Sequence, residues 1–139
     1  MQTRRMLAET LILMLATTVA HAQAPAPLSS AQQQRIAHAV QSLKSPAERR
    51  LAMRWSDAKQ VAEWLCRPAA YRQLQKAHPG IERVFLGLGG KYDLRLIGNR
   101  GLTGVGEART ADGWKTFSFT CELDPQSGNV VKFAEKIEP

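Results

Sequence analysis

Cys66 and Cys121 are the only cysteines in the 139-residue chain. Sulfur offers a disulfide, a metal thiolate or a nucleophile. Zinc needs further ligands at defined spacing, and neither an H-x-x-x-H nor an H-x-x-E-H pattern accompanies the cysteines. His38 and His78 stand far apart, one in a helical pattern and one just before Pro79. No G-x-S-x-G elbow is present. A serine or cysteine served by one of those histidines is the one catalytic arrangement left open. The bland reading makes His38 a surface helix residue and His78 part of a helix stop.

The glycines raise phosphate binding. Gly87-x-Gly89-Gly90 and Gly101-x-x-Gly104-x-Gly106 are suggestive strings, but a dinucleotide fingerprint needs a helix directly after them and a P-loop needs Gly-Lys-Ser/Thr. Neither condition is met, so no cofactor is expected and the glycines read as turns and bulges. Gly104, Gly106 and Ala108 share one strand face, where small side chains would leave a shallow groove beneath a helix. The carboxylates are scattered among basic residues, and Glu63 and Arg67 form an i,i+4 pair.

Positive charge is the least ordinary feature, with a formal net charge of +7. Arg49, Arg50, Arg54, Lys59, Arg67, Arg72 and Lys76 make the first half basic and form the candidate anion-binding surface. Such a surface favours phospholipid heads, lipopolysaccharide phosphates, acidic wall polymers or an acidic partner protein. Solvated surface arginine is the plain alternative. No nucleic-acid recognition motif appears, so no nucleic-acid partner is expected.

Compartment comes from the N-terminus. Arg4 and Arg5 precede an apolar run over residues 11–20, and Ala20-His21-Ala22 supplies an A-x-A site. This pattern predicts a signal peptide over residues 1–22, cleaved between Ala22 and Gln23, although Glu9 interrupts its edge; an uncleaved anchor or a misassigned start is the alternative. The run is too short to span a bilayer comfortably, so no transmembrane segment is expected after cleavage. Removal of Arg4, Arg5 and Glu9 leaves 17 basic against 11 acidic residues, a net charge of +6. A periplasmic or secreted location permits a disulfide. Cys66–Cys121 is then the one intramolecular pairing, closing a loop of about 55 residues worth on the order of 4 kcal/mol. Two separate buried thiols are the alternative.

Residues 23–30 read as a flexible tether, followed by a single domain over residues 31–139. Ser29 or Ser30 can cap a first helix reaching about Leu43, with Leu28, Ile36, Ala39, Val40 and Leu43 as its apolar stripe. Ser45-Pro46-Ala47-Glu48 starts a second helix. Ser56-Asp57 predicts a break and a fresh cap. Val61, Ala62, Leu65 and Cys66 then share a face. Pro68 stops that helix or begins the next, and His78-Pro79-Gly80 ends the helical half.

The second half alternates with period two. Phe117, Phe119, Cys121 and Leu123 point one way and Thr116, Ser118, Thr120 and Glu122 the other, which marks a half-buried antiparallel strand. Trp114 opens that strand on the face opposite Phe117, as an exposed aromatic. Residues 124–129 are dense in turn chemistry, and Val131, Phe133 and Ile137 share a face of the last strand, with Glu135 the polar exception. Shorter strands over residues 81–88, 91–97 and 102–110 precede it, separated by Gly-rich turns. The expected fold is α+β: N-terminal helices on one face of a four- to five-stranded antiparallel meander sheet.

Trp64-Leu65-Cys66-Arg67, the glycine-spaced strands, W-x-x-F-S-F-T-C-x-L-D-P over residues 114–125 and the strand over residues 130–137 carry a resemblance. Together they are similar to a family of small exported bacterial proteins catalogued as domain of unknown function 930. The resemblance covers residues 47–137, with the cysteine-bearing strand its most specific part. It implies export and pairing of the cysteines, and no catalytic or binding residue transfers from it. The chain departs from the family at Arg67-Pro68, where an acidic residue is usual. The resulting expectation is a small exported, non-catalytic protein that binds a partner protein or an anionic envelope component through its basic helical face. The alternatives are a small cell-envelope hydrolase using His38 or His78, and a structural role in which a sheet edge pairs with another chain.

Overall fold

The computed structural model describes residues 26–91 and 93–139. The expected signal peptide and its Ala22–Gln23 cleavage site lie outside the described residues. Helix α1 spans Ser30–Gln41 and begins with a capping box: the Ser29 hydroxyl accepts from the Gln32 N–H, and the Gln32 side chain accepts from the Ser29 N–H. Two orphan amides of the first turn are thereby satisfied. The expected tether gives way to packed structure before residue 30, because Leu28 is buried in the core and Ser29 is the cap.

Helix α2 (Pro46–Ala52) carries Ser45 as N-cap and proline in its first turn. Ser56 caps α3 (Asp57–Gln60), so the expected break is present. Beyond it the chain does not stop at Pro68. It passes through a π-helical stretch, Val61–Cys66, into α4 (Arg67–Ala77). Proline has no N–H and its ring crowds the carbonyl four residues back. A widened turn ahead of Pro68, with the Arg67 N–H bonded to the Ala62 carbonyl, relieves that conflict. The phase it sets puts Val61, Ala62, Leu65, Cys66, Ala70 and Leu74 all toward the core.

Five strands form one antiparallel sheet: β1 (Arg83–Leu86), β2 (Leu94–Ile97), β3 (Gly101–Thr110), β4 (Gly113–Leu123) and β5 (Val130–Ile137). Both β1 and β2 lie along the same side of β3. The first pairs with Gly106 to Arg109 and the second with Gly101 to Gly104. They are therefore one edge line interrupted by an excursion over residues 87–93. Val105 bridges the interruption, its carbonyl accepting from Gly87 and its N–H donating to Asp93. The Asp93 carboxylate accepts from the Leu88 and Gly90 N–H groups at 2.9 and 2.7 Å and ties off the loop.

Helices cover one face of this sheet and the other is open. Phe117, Phe119, Cys121 and Leu123 are all buried, as the alternation required. Cys66 and Cys121, both fully buried, are joined in a disulfide with Cα atoms 6.1 Å apart. On β5 the expected inner face is corrected. A bulge opposite Glu122/Leu123 makes Val130 the partner of Leu123 and turns Val131 out to 63% exposure. An extra residue on one strand shifts every side chain before it to the other face. Phe133 stays inside, stacked on Phe119 at 5.5 Å.

Candidate functional site

The groove expected over Gly104, Gly106 and Ala108 is filled. A Cβ on Gly106 would stand 2.6 Å from both the Phe117 ring and the Phe85 carbonyl oxygen. On Gly104 it would meet the Asp93 carbonyl oxygen at 2.1 Å. These glycines make room for a phenylalanine ring and for the folded-back edge line, not for a ligand.

Neither histidine lines any of the principal hollows. His38 lies in the last turn of α1 and His78 at the C-cap of α4, both exposed. Among the described residues no group of histidine, cysteine or carboxylate side chains is arranged to hold a metal ion. Nor is any described helix long and apolar enough to cross a membrane.

The seven basic residues separate into three sets. Arg49, Lys59 and Arg67 are engaged within the fold. Arg49 Nη1 donates to the Leu43 and Lys44 carbonyls and secures the link between α1 and α2. Glu63 sits between the other two, 2.8 Å from Arg67 and 3.9 Å from Lys59. Lys59 also lies 5.7 Å from the Trp55 ring centroid, and Trp55 stacks on Trp64 at 5.9 Å. The π-helical stretch places Glu63 one turn from each cation, so its single negative charge offsets part of both at i,i+4 spacing.

Arg50 and Arg54 form a second set at the end of α2, around the exposed Met53. The third set joins the two halves of the chain. Arg72 and Lys76, one turn apart on α4, and Lys132 on the edge of β5 line one hollow of about 260 Å³. Its remaining walls are Ala69, Gln73, Val130, Val131 and Phe133, and no carboxylate lines it. Glu122 is the register partner of Lys132, yet no ion pair joins them among the described residues. Three cations that make no ion pair among the described residues thus border one hollow between a helix and a strand, the arrangement that most favours an anion on this chain.

Lys132 was absent from the sequence-based set. Its charge is visible in the sequence, but its approach to α4 depends on β5 being the edge strand beside that helix. Comparison with protein-family models, curated proteins and solved structures finds no match. The geometry of the chain is thus the ground for a functional reading.

Proposed function

We propose that this chain is an exported, non-catalytic binding protein of the periplasm or the cell exterior. Its ligand is an anionic envelope component whose phosphate or carboxylate groups seat among Arg72, Lys76 and Lys132. The carrying observation is that the helical and the sheet halves each contribute cations to one hollow without an acidic lining. The Cys66–Cys121 disulfide fits an oxidising compartment. In the same reading residues 1–22 are an export signal cut between Ala22 and Gln23, and the chain belongs with the exported family that its cysteine-bearing strand resembles.

Retention of the disulfide-bonded protein on phosphatidylglycerol vesicles, lipopolysaccharide and immobilised polyglutamate, measured across ionic strength, tests this. Binding to at least one of the three at low salt is expected, weakening as salt rises because exposed charges are screened within about 8 Å at physiological ionic strength. The triple variant Arg72→Glu/Lys76→Glu/Lys132→Glu should lose it, while Arg50→Glu/Arg54→Glu should keep it. No retention at low salt on any of the three surfaces, or equal retention of the triple variant, rejects the proposal.

A further inference from the structure

A second surface, independent of that hollow, lies on the opposite flank of α4. Glu82, Arg83, Val84 and Phe85 line a hollow of about 480 Å³ whose facing wall is Arg67, Pro68 and Tyr71. Side chains of a strand alternate between its two faces. A hollow that meets four successive residues is therefore bounded by the backbone edge of the strand, not by one face. β1 is such an edge, paired with β3 on one side and with no strand on the other among the described residues. The Gly87 N–H bonds to the Val105 carbonyl at 2.8 Å, which sets the phase of the ladder. Arg83 and Phe85 turn their peptide groups toward β3, and Val84 and Leu86 turn theirs to the open side.

A groove between an edge strand and a helix is the geometry in which an extended peptide adds as a further strand. Alternate side chains of such a peptide then face different walls. One set, on the helix side with Val84, would meet Pro68 and Tyr71. The other set, on the open face, would meet the charge of Arg83 beside the exposed Phe85 and Trp114 rings, whose centroids are 5.7 Å apart. Arg83 makes no ion pair among the described residues, Arg67 is shared with Glu63, and Glu82 lies 3.8 Å from Arg109. The unpaired cation is Arg83, so the complementary side chain is a carboxylate. The geometry points to β1 as the docking edge for an extended segment of a partner protein that alternates apolar and acidic side chains and binds by adding a strand.

A fluorescein-labelled synthetic octapeptide of alternating valine and glutamate serves as the probe, titrated by anisotropy into the disulfide-bonded chain. Saturable binding is expected. Methylating alternate backbone nitrogens of the peptide, in both phases, should weaken binding about tenfold in one phase, since one lost strand hydrogen bond is worth about one decade. Arg83→Glu, an exposed change, should weaken it similarly, whereas Arg72→Glu/Lys76→Glu/Lys132→Glu should leave it unchanged. The methylated peptides leave the protein unaltered, so their result does not depend on a variant folding. Absence of saturable binding, equal affinity of both methylated peptides, or indifference to Arg83→Glu overturns the inference. So does concentration-dependent self-association that the peptide fails to displace, which would make a second copy of the chain the occupant. Loss of peptide binding with retention on anionic surfaces rejects this inference alone, and the reverse result rejects only the proposed function.

Discussion

Gln32 Nε2 donates to the carbonyl oxygen of Asn99 across 2.6 Å, from a side chain that is fully buried. Its Oε1 accepts from the Ser29 N–H, so one amide closes the start of α1 and grips the turn between β2 and β3. One turn further along, Arg35 Nε donates to the Ser127 carbonyl at 2.8 Å in the turn between β4 and β5. Helix α1 thus clamps two turns at one end of the sheet.

Replacing Gln32 with leucine leaves a buried carbonyl and an amide without partners. The expected cost is about 1–3 kcal/mol, read as a lower urea midpoint at unchanged slope. Gln34→Ala, at an exposed position two residues on, should stay within about 0.5 kcal/mol. Equal effects at the two sites would show that Gln32 does not act as a clamp.

The disulfide links the helical layer to β4 and should carry a large share of the stability. Cys66→Ala/Cys121→Ala is expected to lose on the order of 4 kcal/mol. A reductant should destabilise the native chain by a similar amount and leave the double variant unaffected. Intact-mass analysis after alkylation under denaturing conditions should find no free thiol in the native chain. Two alkylated cysteines in protein taken from its own compartment would remove the link.

Glycine at positions 104 and 106 admits contacts that a methyl group would block. Gly106→Ala should destabilise by about 1–3 kcal/mol through overpacking against Phe117 and the Phe85 carbonyl. Gly104→Ala should cost more, because the obstacle at 2.1 Å is the Asp93 backbone carbonyl, which cannot rotate aside. Thermal unfolding of both variants orders them. A smaller loss at Gly104 would mean that the loop over residues 87–93 yields easily.

Asp124 organises the last turn. Its carboxylate accepts from the Ser127 hydroxyl at 2.7 Å and from the Gln126 and Ser127 N–H groups. These bonds, the Ser127 hydroxyl first, hold its pKa below the ordinary carboxyl value, with Arg100 adding to the effect. A depressed pKa in the folded state means that the contribution is fully present above the unfolded value, about pH 4. It is lost as pH falls through the lower folded value. Acid titrations of stability should therefore fall less steeply below about pH 4 for Asp124→Asn than for the native chain. Parallel curves would contradict this role.

The elements legible in the residues alone are those set by near neighbours. Ser29, Ser45 and Ser56 announce helix starts because a hydroxyl three residues ahead of an amide caps it wherever the chain goes. Phe117, Phe119, Cys121 and Leu123 announce a half-buried strand because a pleat alternates its side chains irrespective of its partners. With only two cysteines in the chain, the identity of the bridge followed once both faces were placed. The S-x-x-Q capping box was also there to be read at Ser29 and Gln32, although nothing local marks Gln32 as buried.

What tertiary structure alone decided is how distant residues meet. The burial of Gln32 and Leu28 and the docking of Arg35 depend on contacts across 67 and 92 residues of sequence. Val131 turns outward only because a bulge shifts its register against β4. The seven basic residues of the first half look like one face when counted along helices, yet they part into three sets. The rotation of each helix over the sheet, imposed by the shared core and the disulfide, determines which side chain finds a carboxylate and which borders the hollow beside β5. Local propensity carries no information about that rotation, because it is the sum of packing contacts among residues that the chain brings together only on folding.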